Sequence, residues 1–239
     1  MKLLLYCVSG AQSVQDSITI KGVQGTDIRF VRSGKLAAVV SEFDSSQGAM
    51  DVQSLMIYHD VIDNCFKFGA LIPFRFRTVL KDDDEVRRHL EERGTEYESK
   101  LEYLTGKTEM GVRLIVEKSP KESLNLEIVE NDISSSENPG KSYLAKRKAL
   151  YGVQESFDAK CESCIEALKM TLKNLFVDLK IEPSTKTATG AQEKETLISV
   201  YCLIQKDSVD RFRMAIEELK PSLDAKILMS GPWAPYNFV

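Results

Sequence analysis

Two histidines, five cysteines and two short acidic runs are the residues of this sequence that are best suited to chemistry. Cys161 and Cys164 have the CxxC spacing of a redox motif or of half a zinc site. Both also fall on an apolar helical stripe, and the sequence holds no second CxxC and no neighbouring histidine to complete a zinc tetrahedron. The pattern favours thiols of a protein core, with redox or zinc chemistry as the alternative.

The two histidines lie in segments with helical periodicity. His59 falls on a predicted buried stripe beside Asp60 and Asp63, which favours an interior histidine over a general base or a ligand. His89 is surrounded by arginines and glutamates, as is typical of a solvated helix face. The histidines alone therefore predict no catalytic site.

Sequence signatures of catalysis and phosphate binding are missing. The chain contains no GxGxxG, no GxxxxGK[ST] and no HExxH, and no specific Ser/His/Asp or Cys/His set can be assembled. Residues 82–85 and the pair Glu91 and Glu92 are interpreted as helix caps and surface rather than a cation site. The residues therefore predict no specific catalytic set, no cofactor site and no metal site.

Composition points to an ordinary globular protein. The chain has 239 residues, 43% of them hydrophobic and 28% charged, with a net charge of −4. An acidic molecule repels phosphate backbones, so nucleic-acid binding is not expected. The opening MKLLLYCV is too short for a membrane span and is interpreted as the first strand of a cytoplasmic protein. The odd number of cysteines predicts no disulfides.

The first half of the chain carries the pattern β-ββ-α-β-α-β. The predicted elements are a strand over residues 3–8, a hairpin that turns at Ser33 and Gly34, and a helix with Val52, Leu55, His59, Ile62 and Phe66 on its buried stripe. A strand ALIPFRFRTVL, one helix over residues 82–106 and a strand KTEMGVRLIVEK follow. These elements predict an α+β domain over residues 1–118.

The second half of the chain is predicted to form helices that pack on an antiparallel sheet. Residues 119–140 are polar and aperiodic and are interpreted as a mobile loop or linker. A long helix is expected from Lys141 to about Lys180, then a doubly buried strand TLISVYCLIQ, a helix that begins at Asp207 and Ser208, and a closing strand DAKILMSG. We predict a second α+β domain over residues 141–239, with an ordered tail.

Three surfaces are candidates for binding. If PFRFRTVL is a strand, Phe74 and Phe76 share one face, while Arg75 and Arg77 point to a partner or to a neighbouring carboxylate on the other. Pro73 restricts this strand to an edge, a strand start or a bulge. A basic stretch favours a solvated helix start, with binding of an acidic protein or phosphate as the alternative; it comprises Lys141, Lys146, Arg147 and Lys148.

The third candidate surface is the ending GPWAPYNFV. Its prolines leave the segment little conformational entropy to lose on docking, and Trp233, Tyr236 and Phe238 supply large apolar area. The pattern favours packing within the molecule, most simply between the two domains. Direct contact with a partner is the alternative.

Several of these stretches resemble one known family in the right order over nearly the whole chain, the gas vesicle protein L/F family (GvpL/GvpF). They are GKLAAVVSEF, LIPFRFRTVL with LEYLTGKTEMGVRLIV, PGKSYLAKRK, and the ending LISVYCLIQKDSVDRFRMAIEELKPSLDAKILMSGPWAPYNFV. The closing GPWAPYNF is similar to the family's GPWPPYSF. This chain departs from the family pattern at Arg77, where glycine is usual, and at Ala234, which replaces one of two adjacent prolines.

The resemblance implies a protein of gas vesicles with two α+β domains, the first a modified ferredoxin-like fold. It implies a non-enzymatic accessory or minor structural component, in the cytoplasm and at the vesicle, that binds the shell protein GvpA and other accessory proteins during assembly. The alternative is a small-molecule-binding regulatory domain or enzyme on a ferredoxin-like scaffold, with polar groups converging around His59.

Overall fold

The computed structural model describes residues 1–13, 20–44, 51–117, 139–186 and 195–239. The chain forms two compact units: the first comprises Met1–Met110, Leu203–Asp207 and Gly231–Val239, and the second comprises Gly111–Cys202 and Ser208–Ser230. The predicted domains joined the tail to residues 141–230, whereas in the structure Gly231–Val239 belongs to the first unit. Residues 119–138 of the predicted linker lie outside the described residues.

The described elements alternate between strands and helices. The strands are β1 Lys2–Gly10, β2 Ile28–Ser33, β3 Leu36–Phe43, β4 Leu71–Pro73, β5 Val79–Leu80, β6 Lys107–Glu117, β7 Asp178–Lys186, β8 Glu195–Gln205 and β9 Lys226–Trp233. The helices are α1 Val52–Phe66, α2 Asp83–Glu92, α3 Gly94–Leu104, α4 Pro139–Leu172 and α5 Val209–Leu219. Two antiparallel sheets with helices confirm the predicted α+β class. The ferredoxin-like detail of the first domain stays a prediction.

The first sheet is built around β1, whose residues 3–9 are buried. Its strand order is β2-β3-β1-β4, and β5 also pairs with β1. The hairpin of β2 and β3 turns where it was predicted, because Ser33 pairs with Leu36 and Gly34 has φ +57°. A left-handed residue at this position matches the twist of a two-residue hairpin turn.

Helix α1 buries a different face from the predicted one. Ile62 is buried as expected, but Val52, Leu55 and His59 are exposed. The buried face consists of Tyr58, Val61, Ile62 and Cys65. Apolar residues occupy more than one side of this helix, so periodicity alone cannot choose between the sides. The choice is made by Tyr58, whose hydroxyl lies 2.8 Å from the carbonyl oxygen of Leu5 in β1.

The segment ALIPFRFRTVL is not one strand, as was predicted. It pairs with β1 at both ends, as β4 and β5, and residues 74–78 form a bulge without strand structure between them. The amide of Phe74 donates to the carbonyl of Tyr6 at 2.9 Å, and the amide of Leu5 donates to the carbonyl of Thr78 at 2.9 Å. Pro73 ends an edge strand at the bulge, as its missing N–H required.

Arg77 occupies the left-handed region of the bulge, with φ +71°. A residue with a Cβ pays about 1 kcal/mol or more in this conformation, which glycine adopts freely. We expect Arg77→Gly to raise the free energy of unfolding by about 1 kcal/mol in urea titrations. Arg75→Gly is the control, because Arg75 is also exposed but has no positive φ. Equal losses of stability in both variants would contradict this explanation.

The helix predicted over residues 82–106 is divided into α2 and α3. Arg93, with φ −110° and ψ 12°, separates them, and the flexible Gly94 follows directly. The predicted buried face is nevertheless confirmed on both sides of the break. It consists of Val86, Leu90, Tyr97, Leu101 and Leu104.

The second sheet has the order β7-β8-β6-β9. Helix α4 ends at Leu172 rather than near Lys180, and β7 begins at Asp178. Leu175 and Leu179 continue the helical stripe in the sequence, but Leu175 lies in the turn after the helix and Leu179 lies in β7. In β8, alternate residues from Leu197 to Tyr201 are half-buried, so the predicted burial on both faces is complete only at residues 202–204.

No helix in the described part of the chain has the length and hydrophobicity needed to cross a membrane.

Candidate functional site

The tail Gly231–Val239 packs as an ordered part of the first unit. Ala234 and Phe238 are 0% and 7% exposed, and Ala234 belongs to the same apolar cluster as Leu4, Tyr58 and Val61. Burying these side chains removes apolar area from water and fixes the direction of the chain end. The tail is therefore a structural component of the first unit.

Gly231 allows the start of the tail to lie close to β6. Its φ is +109°, and a Cβ at this position would lie 2.8 Å from the carbonyl oxygen of Glu109 and 3.0 Å from the sulfur of Met110. Both the conformation and the space exclude other residues without a shift of the backbone. The glycine is thus required by the approach of β9 to β6.

A buried carboxylate holds the far end of the tail. Glu109 on β6 is 4% exposed. The backbone amide of Asn237 donates to its Oε2 at 2.8 Å, and the Asn237 side-chain amide donates to Oε1 at 2.7 Å. A buried carboxylate needs such donors because its transfer from water is costly. The two bonds therefore fix Asn237 in place.

A second polar contact joins the tail to α1. The hydroxyl of Tyr236 lies 2.9 Å from Nδ1 of His59, and the two rings meet edge to face. Burial raises the pKa of Tyr236, and nearby Asp63 adds to this effect, so the phenol stays neutral. The structure thus corrects the prediction of an interior His59: the ring is exposed, on the rim of the docked tail.

Trp233 is the tail aromatic that stays open to solvent, with 44% of its surface exposed. Its carbonyl oxygen accepts a hydrogen bond from the Thr108 hydroxyl at 2.9 Å. The backbone is therefore fixed while the indole remains accessible. Of the three predicted tail aromatics, Phe238 is buried, Tyr236 is half-buried and Trp233 is half-exposed.

Residues 74–77 do not form a strand, so their aromatic and arginine side chains do not alternate between two strand faces as predicted. Phe74 packs edge to face against His89 and Tyr97, with ring centroids 6.0 and 6.3 Å away. Phe76 packs instead against Tyr58 at 5.1 Å. The side chains of Arg75 and Arg77 are both exposed. A partner-binding role for these four residues stays a prediction.

His89 is half-buried, where a solvated face was predicted. Its Nε2 lies 2.8 Å from the hydroxyl of Tyr97. Burial lowers the pKa of His89, and the positive charge of Arg93 lowers it further. The aromatic cluster around Phe74 therefore favours the neutral imidazole.

This preference predicts a pH dependence of stability. The unfolded chain binds a proton at His89 near pH 6.5, whereas the folded chain binds it only at lower pH. Stability present above pH 6.5 is therefore lost as the pH falls through this value. We expect urea unfolding at pH 7.5 and 5.5 to show a smaller pH effect in His89→Gln than in the unchanged chain. An equal pH effect in both proteins would contradict the role of His89.

The predicted basic stretch falls at α4. Arg147 and Lys148 are exposed, and the Arg147 guanidinium donates to the Tyr151 hydroxyl at 3.1 Å. The side chains of Lys141 and Lys146 lie outside the described residues. A binding role for this stretch stays a prediction.

The cysteines behave as thiols of the interior. All five lie in the described ranges and none forms a disulfide; Cys161 is half-buried and Cys164 is buried. Burial raises the pKa of both thiols, so neither is poised as a thiolate. Within the described ranges, His, Cys, Asp and Glu form no group of three that could hold a metal ion.

Sequence patterns missed the residues that fix the tail. Glu109 and Asn237 are 128 positions apart, and no local periodicity connects them. The available signal was a charged residue at a strand position with apolar neighbours: Glu109 interrupts the apolar character of β6 beside Met110. A carboxylate at such a position requires a polar partner from elsewhere in the chain.

Comparison with known proteins gives one consistent result. A family model described as "Gas vesicle synthesis protein GvpL/GvpF" matches residues 2–239. The chain is 25% identical over 213 residues to gas vesicle protein F of Streptomyces sp. (strain CB03234), covering 89% of this chain and 87% of that protein.

Two crystal structures share its fold. GvpF from Microcystis aeruginosa has a TM-score of 0.78 at 15% identity, over 99% of this chain and 98% of that chain. GvpF from Anabaena sp. PCC7120 has a TM-score of 0.75 at 17% identity, over 99% of this chain and 95% of that chain. At these identities the likeness establishes the fold.

Proposed function

Because the chain belongs to the gas vesicle synthesis protein GvpL/GvpF family, we propose that it is a non-enzymatic protein of gas vesicle assembly that binds the shell protein GvpA and other accessory proteins. Such a protein acts through its surface. The observation that carries the proposal is the tail, which is held rigidly by the first unit while Trp233 remains 44% exposed.

The physical argument starts from the cost of binding. A partner that docks on a flexible chain end must order that end, and the lost entropy subtracts from affinity. Here the Asn237 bonds to Glu109 and the Tyr236 contact with His59 have already ordered the tail. A tryptophan on a rigid backbone can therefore act as an anchor residue, a role in which this side chain is enriched at protein interfaces.

The shell protein is the proposed partner because a subunit that polymerises through apolar surface exposes that surface beforehand. An exposed indole suits such a surface, since its large apolar area is buried on contact. The proposal places the protein in the cytoplasm and at the growing vesicle. Its contact with other accessory proteins is proposed for the same exposed aromatic surface.

The alternative function, a ligand-binding regulator or an enzyme centred on His59, gains no support from the described residues. The ring is exposed, and its Nδ1 is engaged by the Tyr236 hydroxyl. An open cleft of about 550 Å³ lies elsewhere, lined by residues that include Arg29, Glu42 and Asp83. The Arg29 guanidinium there is engaged by the Asp83 carboxylate at 2.5 and 2.8 Å.

Gene deletion tests the proposed role in assembly. We expect cells of the organism that carries this gene to form few or no gas vesicles without it, and reintroduction of the unchanged gene to restore them, as counted by electron microscopy. As a control, the deleted strain receives an unrelated enzyme gene in place of the reintroduced gene. Normal numbers of normally shaped vesicles in the deleted strain would contradict a role in assembly.

A further inference from the structure

We propose that the exposed side of α1 is a docking strip for an amphipathic helix of the shell protein, apolar at one end and basic at the other. The inference rests on the proposed function and adds the surface and the kind of segment that binds there. The strip consists of Val52, Leu55, Met56, His59, Asp60 and Asp63.

The first observation is the apolar half of the strip. Val52, Leu55 and Met56 are 75%, 36% and 62% exposed. Single exposed apolar residues are common, but these three are spaced at i, i+3 and i+4 and form one continuous patch over the first helical turns. The core does not need them, because α1 packs through its opposite side at Tyr58 and Val61.

The second observation is the acidic half of the same strip. Asp60 and Asp63 lie one to two turns further along the helix, on the side that carries Met56. In the described part of the chain neither carboxylate forms an ion pair, and Asp63 is half-buried. An apolar patch that continues into unpaired carboxylates matches a segment that is apolar and then basic.

The order of apolar and acidic residues along the strip also argues against a second copy of this chain as the bound partner. Two strips side by side in parallel would place carboxylates against carboxylates. In antiparallel order, Asp60 and Asp63 of each copy would face the apolar Val52 and Met56 of the other, which would bury unpaired charge. A different segment with basic residues avoids both costs, and an acidic strip repels phosphate and anionic lipid surfaces as well.

The strip meets the docked tail at His59. Its ring lies between the apolar and the acidic halves, and its Nδ1 bonds to the Tyr236 hydroxyl at 2.9 Å. The tail therefore supports the middle of the strip. A helix bound there would contact an ordered surface in which the helix and the tail are already joined.

The test compares two methionines of equal exposure. Met56 is 62% exposed on the strip, and Met214 is 63% exposed on α5. The tagged full-length chain is co-expressed with the shell protein GvpA, and the retained GvpA is measured. We expect Met56→Gln to retain about tenfold less GvpA than the unchanged chain, since the contact then buries less apolar area, and Met214→Gln to retain as much GvpA as the unchanged chain.

A second variant tests the charge. We expect the double variant Asp60→Asn and Asp63→Asn to retain less GvpA at low salt, and to lose most of the salt dependence seen with the unchanged chain. Thermal unfolding verifies that each variant folds; should Met56→Gln fail to fold, the asparagine variant decides.

The outcomes separate the two proposals. Failure of the unchanged chain to retain GvpA would overturn the proposed function, and the docking strip with it. Retention by the unchanged chain with undiminished retention by both strip variants would overturn the strip alone. A dimer of the unchanged chain in sedimentation, dissociated by Met56→Gln, would also overturn it, because the strip would then bind a second copy.

Discussion

Removal of the tail by truncation after Ser230 is expected to unfold the first unit. The truncation opens the apolar cluster that Ala234 completes and exposes the site of Phe238. It also leaves the buried carboxylate of Glu109 without the two donors of Asn237. Loss of a large buried side chain costs about 3 kcal/mol or more, and removal of two hydrogen-bond donors from a buried carboxylate adds to this. The sum approaches the whole stability of a typical domain, about 5–15 kcal/mol.

Circular dichroism and urea titration measure this effect. Phe238→Ala alone is expected to lower the free energy of unfolding by about 3 kcal/mol. Removal of Val239 alone is the control, since this residue is 37% exposed and its loss should change little. A truncated protein that unfolds at the same temperature as the full chain would show that the tail is dispensable for folding.

Trp233→Ala is expected to have the opposite profile: an intact fold and weak binding. The hydrogen bond that holds this position uses the Trp233 carbonyl and the Thr108 hydroxyl, so alanine keeps it. The lost indole is the proposed anchor, and interface anchors of this type contribute about 2 kcal/mol or more, which is about thirtyfold in affinity. We therefore expect GvpA retention to fall by that factor while the unfolding temperature changes by only a few degrees.

Trp233→Phe is the matched variant for this prediction. Phenylalanine retains most of the apolar area and the aromatic ring, so it should restore most of the retained GvpA. Undiminished retention by Trp233→Ala would remove Trp233 from the binding surface. A large fall in stability would instead assign the indole to the core.

The two predictions divide the tail into parts with separate roles. Phe238 and Asn237 attach the chain end to the first unit, through burial and through the Glu109 carboxylate. Trp233 uses that attachment to present an apolar side chain at low entropic cost. A single segment of nine residues thus combines a structural role with the proposed recognition role.

The sequence predicted elements whose burial follows one clear period. The buried face of α2 and α3 was predicted residue by residue, and so were the strand β6 and the turn at Gly34, because each pattern allows one solution. The α+β class followed from these elements. In each case, neighbours within a few residues determine the structure.

Elements whose sequence pattern fits two different structures could not be predicted from the sequence. Helix α1 is apolar on several sides, and the side that packs is fixed by Tyr58 and its hydrogen bond to Leu5, 53 positions away. The bulge at residues 74–78 looks like a continuous alternating strand until the register of β1 is known. The end of α4 was missed because Leu175 and Leu179 continue the helical spacing, although Leu175 lies in a turn and Leu179 lies in β7.

Only part of the candidate site could be predicted from the sequence. The tail aromatics were recognisable from their types and from the rigid prolines around them. Their burial order depended on Glu109 and His59, which are distant in sequence and come together only in the folded first unit. The exposed side of α1 was missed for the same reason as its buried side.

Association with the shell protein is the measurement that tests the central claim most directly. The tagged full-length chain is purified at low salt from cells in which gas vesicles are forming, and the co-purified proteins are identified by mass spectrometry. An unrelated tagged protein of similar net charge, purified in parallel, serves as the control. We predict that GvpA is enriched with this chain over the control. Recovery of the folded chain with no gas vesicle protein enriched would contradict the account.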